Sequence, residues 1–208
     1  MFKKVLVLAP HTDDGELGCG GTIAKLIEEG SDIYYAVFSV CEISVPNGFP
    51  KNILELELKN AARVLGIKEN NIYIYKYPVR TFPQNRQHIL EELIKLRDIV
   101  QPDLVLMPSP NDIHQDHNTI ANEGIRAFKE TNLLGYEIIW NNLTINTQYF
   151  FKLKENHLNK KIQALKCYES QKFRKYFNEK LIRSLATIRG AQIGSEYAEL
   201  FEVIRVIS

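Results

Sequence analysis

Val5-Leu6-Val7-Leu8-Ala9-Pro10-His11-Thr12-Asp13-Asp14 leads into the glycine-rich Leu17-Gly18-Cys19-Gly20-Gly21. An unbroken apolar run closed by Pro10 reads as a strand buried on both faces, the kind found in a parallel sheet covered by helices. One imidazole and two carboxylates then crowd its carboxyl end. In open α/β sheets ligands bind at that end of the strands, so the charges sit where chemistry is expected. A second cluster, His114-Gln115-Asp116-His117, follows the apolar run Leu104-Val105-Leu106-Met107. Two strand ends of one parallel sheet can bring both clusters to a common rim and assemble a metal site from residues far apart in sequence.

Outward from that stretch the alternation continues. Residues 4–9 read as a strand, 17–29 as a helix ending at Gly30, and 33–40 as a second strand, a βαβ unit. Leu54, Leu58, Ala61, Ala62 and Leu65 give 51–65 an amphipathic helix closed by Gly66, and 72–75 a short strand follows. Helical spacing over 84–100, a strand at 103–107 after Pro102 and a helix at 117–128 extend the pattern. Beyond Gly135, residues 136–140 and 147–151 read as strands, Leu158 to Tyr168 has helical spacing, and 200–207 is a closing strand. The expectation is an α/β fold, a mainly parallel sheet with helices on both faces, as a single domain over 1–208. The loops 42–50 and 76–83 are placed to shape a pocket on the rim that carries the two clusters.

Bulk properties narrow the function classes. A chain of 208 residues with 45% hydrophobic content is long enough for one well-buried core. Its 26 basic against 25 acidic residues give a net charge of +1, which offers no footprint for nucleic acid or an anionic membrane. Recognition of an anionic substrate must therefore be local. No apolar run approaches the ~20 residues that cross a bilayer, and the N-terminal run is too short for a signal-peptide core, so a cytoplasmic location is expected. Cys19, Cys41 and Cys167 share no metal-binding spacing and suggest no disulfide framework. Cys41 follows a strand and is a conceivable nucleophile without a base beside it. His88 and His157, among charged neighbours, read as surface residues.

A catalytic zinc site takes three His/Asp/Glu ligands and keeps a position open for water. His11, Asp14 and His117 can supply them, leaving Asp13, His114 and Asp116 beside the metal to serve as base, acid or oxyanion stabiliser, and orienting carboxylate. Taken singly, either cluster could be a solvated pair, and Asp13 or Asp14 could simply cap the following helix. Three of only five histidines concentrated at two strand ends favour the chemical reading. Gly18-Cys19-Gly20 opens a helix after a strand, but Ile23 stands where a dinucleotide fingerprint needs Gly or Ala. These glycines instead read as room for the first helix to pack on the sheet.

PHTDDGELGCGGTIAKL together with HQDH resembles the PIG-L/LmbE-type zinc-dependent N-deacetylases, whose first motif reads His-Pro-Asp-Asp-Glu and second His-Pro-Asp-His. The resemblance extends to ALKCYESQ (Ala164 to Gln171) and RGAQIGSEYAELF (Arg189 to Phe201). It implies a Rossmann-like domain in which His11, Asp14 and His117 hold zinc, with iron(II) or another divalent metal as substitutes. It further implies Asp13 as general base, His114 as oxyanion stabiliser or acid, and Asp116 as the group orienting an imidazole. Three positions depart from the pattern: Thr12 and Gln115 replace prolines, and Gly15 replaces the acid, with Glu16 one place later.

The implied reaction is hydrolysis of the acetamide of an N-acetylated amino sugar or its conjugate to lipid, inositol, malate or nucleotide, releasing acetate. Arg80 and Arg86 flank Pro83 and are candidates to bind a phosphate or carboxylate of that substrate. The expected partner is this small molecule, with a homo-oligomer compatible with the sequence. Two rival readings remain: an iron(II) oxygenase using His11, Asp13 and His117 as a facial triad, and a sugar- or metal-binding protein of the same fold without turnover.

Overall fold

Alternation of side chains along β1 (Lys4–Ala9) decides the architecture. Val5, Val7 and Ala9 face one apolar core and Leu6 and Leu8 the other, so the strand is covered on both sides. The computed structural model describes residues 2–208. After β1 come α1 (Asp14–Glu28), β2 (Asp32–Val37), α2 (Ile53–Leu65), β3 (Ile72–Ile74), α3 (Phe82–Val100), β4 (Leu104–Pro108) and α4 (Gln115–Ala127). The chain finishes with β5 (Asn132–Tyr136), β6 (Gln148–Leu153), α5 (Glu155–Lys166), α6 (Glu179–Ala191) and β7 (Tyr197–Arg205). One sheet runs in the order β3-β2-β1-β4-β5-β7-β6. Its first five strands are parallel, and β7 is antiparallel to both neighbours. Helices α1, α2, α5 and α6 pack into one core and α3 and α4 into the other, the expected α/β arrangement with both faces covered.

Because β1 is bonded to β2 on one side and to β4 on the other, the chain winds outward from it in two directions. The crevice at the carboxyl ends of β1 and β4 is thus the topological switch point, where such sheets bind ligands.

Several elements differ from their sequence reading. Helix α1 begins at Asp14, not Leu17: the Leu17 N–H already donates to the Asp13 carbonyl at 3.0 Å, so the acidic cluster forms the first turn. The glycines of α1 do provide room, since a Cβ on Gly18 would lie 2.3 Å from Tyr136 Cδ2. Strand β5 ends at Tyr136, where 136–140 was the expected strand. Gly135 lies inside it because Ser109 Cα would be 2.8 Å from a Cβ there, so this glycine marks close strand packing and not a turn. Helix α6 was not anticipated; it buries Ile182, Ala186 and Gly190 at four-residue intervals. His157, expected at the surface, is 1% exposed, accepting from the Lys154 N–H through Nδ1 and pairing with Glu28 through Nε2. His88 is exposed, as read.

Candidate functional site

Pairing of β1 with β4 brings the two charged clusters together. His11 Nδ1 lies 3.0 Å from Asp14 Oδ2, His117 Nε2 lies 3.2 Å from the same oxygen, and the two ring nitrogens are 3.2 Å apart. A tetrahedral zinc sphere with bonds of ~2.0–2.2 Å has edges of about 3.3 Å, so these atoms match one face of it. The opposite nitrogen of each ring is held by a carboxylate: His11 Nε2 by Asp116 Oδ2 at 3.1 Å, and His117 Nδ1 by Asp112 Oδ2 at 2.7 Å. Outer carboxylates of this kind fix the tautomer and turn the other nitrogen's lone pair toward a metal. Asp13 makes no ion pair with either imidazole among the described residues, which separates Asp14 as a ligand candidate from Asp13.

The electrostatics point the same way. Burial opposes charge on His117, but Asp14 and Asp112 outweigh it and raise its pKa to about 10. On His11 burial likewise opposes charge, and Asp14 and Asp116 again prevail, raising it. Burial pushes Asp14 upward, yet His117 and His11 hold it well below the usual carboxylate range. The carboxylates therefore draw positive charge into the cleft, while two protonated nitrogens 3.2 Å apart would repel each other. One small cation satisfies both demands, and the residues present fit a divalent metal.

His114 also offers a ring nitrogen, and the ligand atoms of His11, His114 and His117 all fall within 4.8 Å of one another. Its chemistry differs from the other two. His114 caps α4 and its Nδ1 accepts the Asp116 N–H at 3.2 Å, so the neutral ring carries its proton on Nε2. Burial, then His117 and His11, lower its pKa and favour that neutral form. It is thus suited to donate into the cavity, while Asp14 completes the tighter triangle.

Asp13 stands at the N-cap of α1, and its carboxylate makes no capping bond. Burial and then the neighbouring Asp14 raise its pKa, which makes it a better proton acceptor than an ordinary carboxylate. Asp116 accepts backbone N–H groups from Arg80 at 2.6 Å and Phe82 at 3.3 Å besides holding His11. Arg80 adopts φ +66° to make its bond, a left-handed backbone uncommon for a residue with a Cβ. Asp13, His114 and Arg80 line a cavity of about 280 Å³ around the triangle. Arg86 is not brought there: it lies in α3, pairs with Glu123 at 2.6 Å and lines a separate groove. Cys41 lines the cavity, but burial and then Asp13 push its thiol up to about 12, against a role as nucleophile.

Four participants were given no role from the sequence. Asp112 holds His117 and accepts the His114 N–H at 2.8 Å; its only signal was a carboxylate two residues before the second cluster. Glu16 is fully buried and accepts from the Tyr35 hydroxyl at 2.6 Å, with Tyr168 Oη 3.3 Å from its other oxygen. Tyr168 donates to the Thr12 carbonyl, in the loop between His11 and Asp13. Arg174 enters the cavity from the connection before α6.

The family model described as PIG-L, GlcNAc-PI de-N-acetylase, matches residues 6–128, a span containing both charged clusters. Diacetylchitobiose deacetylase of Thermococcus kodakarensis is 28% identical over 95% of this chain and 81% of that protein. A "Probable N-acetyl-alpha-D-glucosaminyl L-malate deacetylase 2" of Bacillus cereus is 26% identical over 61% of each chain. The solved structure of N,N'-diacetylchitobiose deacetylase from Pyrococcus horikoshii has the same fold, with a TM-score of 0.80 at 24% identity, covering 98% of this chain and 84% of that one.

Proposed function

This chain belongs to the PIG-L family of de-N-acetylases, and from that membership we propose that it is a zinc-dependent deacetylase hydrolysing the acetamide of an N-acetylated amino sugar or its conjugate. The observation that carries the reading is the triangle of His11 Nδ1, Asp14 Oδ2 and His117 Nε2, with the far nitrogen of each ring held by Asp116 or Asp112. A mixed nitrogen and oxygen ligand set with open positions suits zinc, and the reaction needs no redox change, which disfavours the iron(II) oxygenase reading.

His11, Asp14 and His117 would hold a divalent metal, which when bound would supply Lewis acidity to a carbonyl and lower the pKa of water toward ~7. The chain's own groups carry the protons. Asp13, free of capping bonds and raised in pKa, removes a proton from the attacking water and returns it to the departing nitrogen. His114 donates its Nε2–H to the oxyanion that develops as the carbonyl carbon becomes tetrahedral. Asp116 and Asp112 keep the two imidazoles aimed, and Arg80 orients the substrate from the cavity wall. The C–N bond breaks, and acetate and the free amine leave. A sugar-binding protein without turnover would have no use for an unengaged, base-like Asp13.

Acetate release from N-acetylglucosamine conjugates by zinc-loaded protein, with and without chelator, tests the reading. Chelator-sensitive release is expected. Asp13→Asn should retain stoichiometric zinc and lose about 10²–10⁴ in turnover; full activity in that variant removes Asp13 from the mechanism.

A further inference from the structure

We propose that the surface formed by the end of α5, the connection 167–178 and the outer side of α6 is a docking face for an anionic phospholipid bilayer. Docking there needs neither metal nor substrate, so it stands or falls apart from the deacetylase reading.

The overall charge of +1 conceals a strong asymmetry. Residues 151–191, which include all of α5 and α6, carry eleven Lys and Arg against three Asp and Glu, a net charge of +8 that leaves −7 for the rest of the chain. Of the eleven, Lys161 alone is buried, against Glu199. Lys175 and Lys180 are exposed and have no carboxylate within ion-pair distance among the described residues, while Lys166 and Lys172 make single contacts to exposed Glu179 and Glu169. Exposed pairs of that kind are worth little in water, and the field of the face stays positive.

Apolar side chains interrupt the charge. Leu181 and Ile188, seven residues apart and so on one stripe of α6, are 36% and 57% exposed, with the uncharged Ser184 and Thr187 between them. Phe173, 66% exposed, follows Lys172 on the connection. A cleft of about 310 Å³ lies where α5 meets α6, with Ile162, Leu165, Phe177 and Ile182 in its walls and Lys166 and Lys172 among its lining. Apolar walls beside ammonium groups suit a phospholipid, its acyl carbons within and its phosphate at the lysines. A nucleic acid would account for the lysines and leave Leu181, Ile188 and the cleft without a role.

The connection divides its residues between two surfaces. Gln171, Arg174 and Tyr176 line the catalytic cavity, whereas Lys172, Phe173 and Lys175 are exposed. Arg174 is turned inward: its Nε donates to Gln171 Oε1 at 2.6 Å, and the side chain also bonds Tyr176 and interacts with Asp13. Gln171 is tied through Ser170 to Glu57 on α2. With its inward residues fixed, the segment presents the outward three on a preorganised base, and a bilayer that engages them lies beside the mouth of the cavity.

Co-sedimentation of the full chain with lipid vesicles tests the face. Vesicles of phosphatidylcholine with about one third phosphatidylglycerol should bind it roughly 100-fold more tightly than pure phosphatidylcholine, since each lysine near an anionic surface contributes about fivefold. Lys175→Ala combined with Lys180→Ala should weaken that binding by about 10–30-fold. Leu181→Ser combined with Ile188→Ser leaves the charge unchanged and should weaken it by about tenfold. Phe173→Ala, outside the helix, takes the place of the second pair if α6 does not fold with two serines. A short DNA duplex in place of the vesicles reads the polyanion alternative. No preference for anionic vesicles in the parent protein, or binding unchanged in the lysine variant, overturns the proposal. Binding to the duplex as tight as to the vesicles, or a loss in the lysine variant with none in the apolar variants, assigns the face to a soluble polyanion and overturns the membrane.

Discussion

Glu16→Gln should make the metal-free protein more stable than its parent at pH 8 while changing little near pH 4. Glu16 is fully buried, and burial first, with a smaller push from Asp13, raises its carboxyl to about 8 against the hydrogen bond from Tyr35. The proton count of the network agrees. Tyr168 has one hydroxyl proton and gives it to the Thr12 carbonyl, so a protonated Glu16 is what supplies a hydrogen between Glu16 and Tyr168 Oη. In the unfolded chain the same group titrates near 4.5. Below that pH both states hold the proton and Glu16 contributes no pH dependence. Between about 4.5 and about 8 the unfolded state ionises first, so stability falls as pH rises, by ~1.4 kcal/mol for each unit of difference. A gap of about 3.5 units (8 − 4.5) corresponds to about 5 kcal/mol as an upper figure, and on the order of 3–5 kcal/mol once local relaxation is allowed for. Glutamine carries no titrating proton, accepts from Tyr35 and donates to Tyr168, so the variant should escape the loss. Urea unfolding of both proteins in chelator, stepped from pH 4 to pH 8, reads the difference in free energy directly. Parallel curves across that range would refute a protonated Glu16.

Asp112→Asn takes the carboxylate from His117 Nδ1 and is expected to weaken zinc binding about 10–100-fold, measured by competition with a chromogenic chelator. Lys161→Met leaves Glu199 buried with only the Gly21 and Thr22 N–H groups as partners, because Lys161 Nζ sits 2.6 Å from it. Stranding that charge should cost about 3–5 kcal/mol and lower Tm by on the order of 10 °C in a thermal scan. A Gly15→Ala side chain would start 2.4 Å from Tyr35 Oη, so a loss of about 1–3 kcal/mol in urea unfolding is expected.

What could be read from the sequence was chemistry contiguous along the chain and placed by strand periodicity. The ends of β1 and β4 carried their own imidazoles and carboxylates, and a parallel sheet has few ways to keep two such strand ends apart. Groups whose roles depend on packing left no such mark. Asp112 acts across the turn into α4, and Arg174 takes its position from Glu57 on α2 through Ser170 and Gln171. Arg86 had the right residue type and sat next to the right loop, yet the helical rotation of α3 aims it at Glu123. The expected strand started after Gly135, at 136, because crowding by Ser109, which explains a glycine inside β5, is invisible until the strands are laid side by side. The displaced acid of the first motif follows the same logic. Any side chain at position 15 would collide with the Tyr35 hydroxyl, so that hydroxyl and an acid at 15 exclude one another. One residue further on, the carboxyl of Glu16 meets both Tyr35 and Tyr168, and through Tyr168 the carbonyl of Thr12. The departure that looked in sequence like a missing acid is therefore, in the fold, an acid moved behind the loop that carries His11 and Asp14, tied to that loop through Tyr168 and the Thr12 carbonyl.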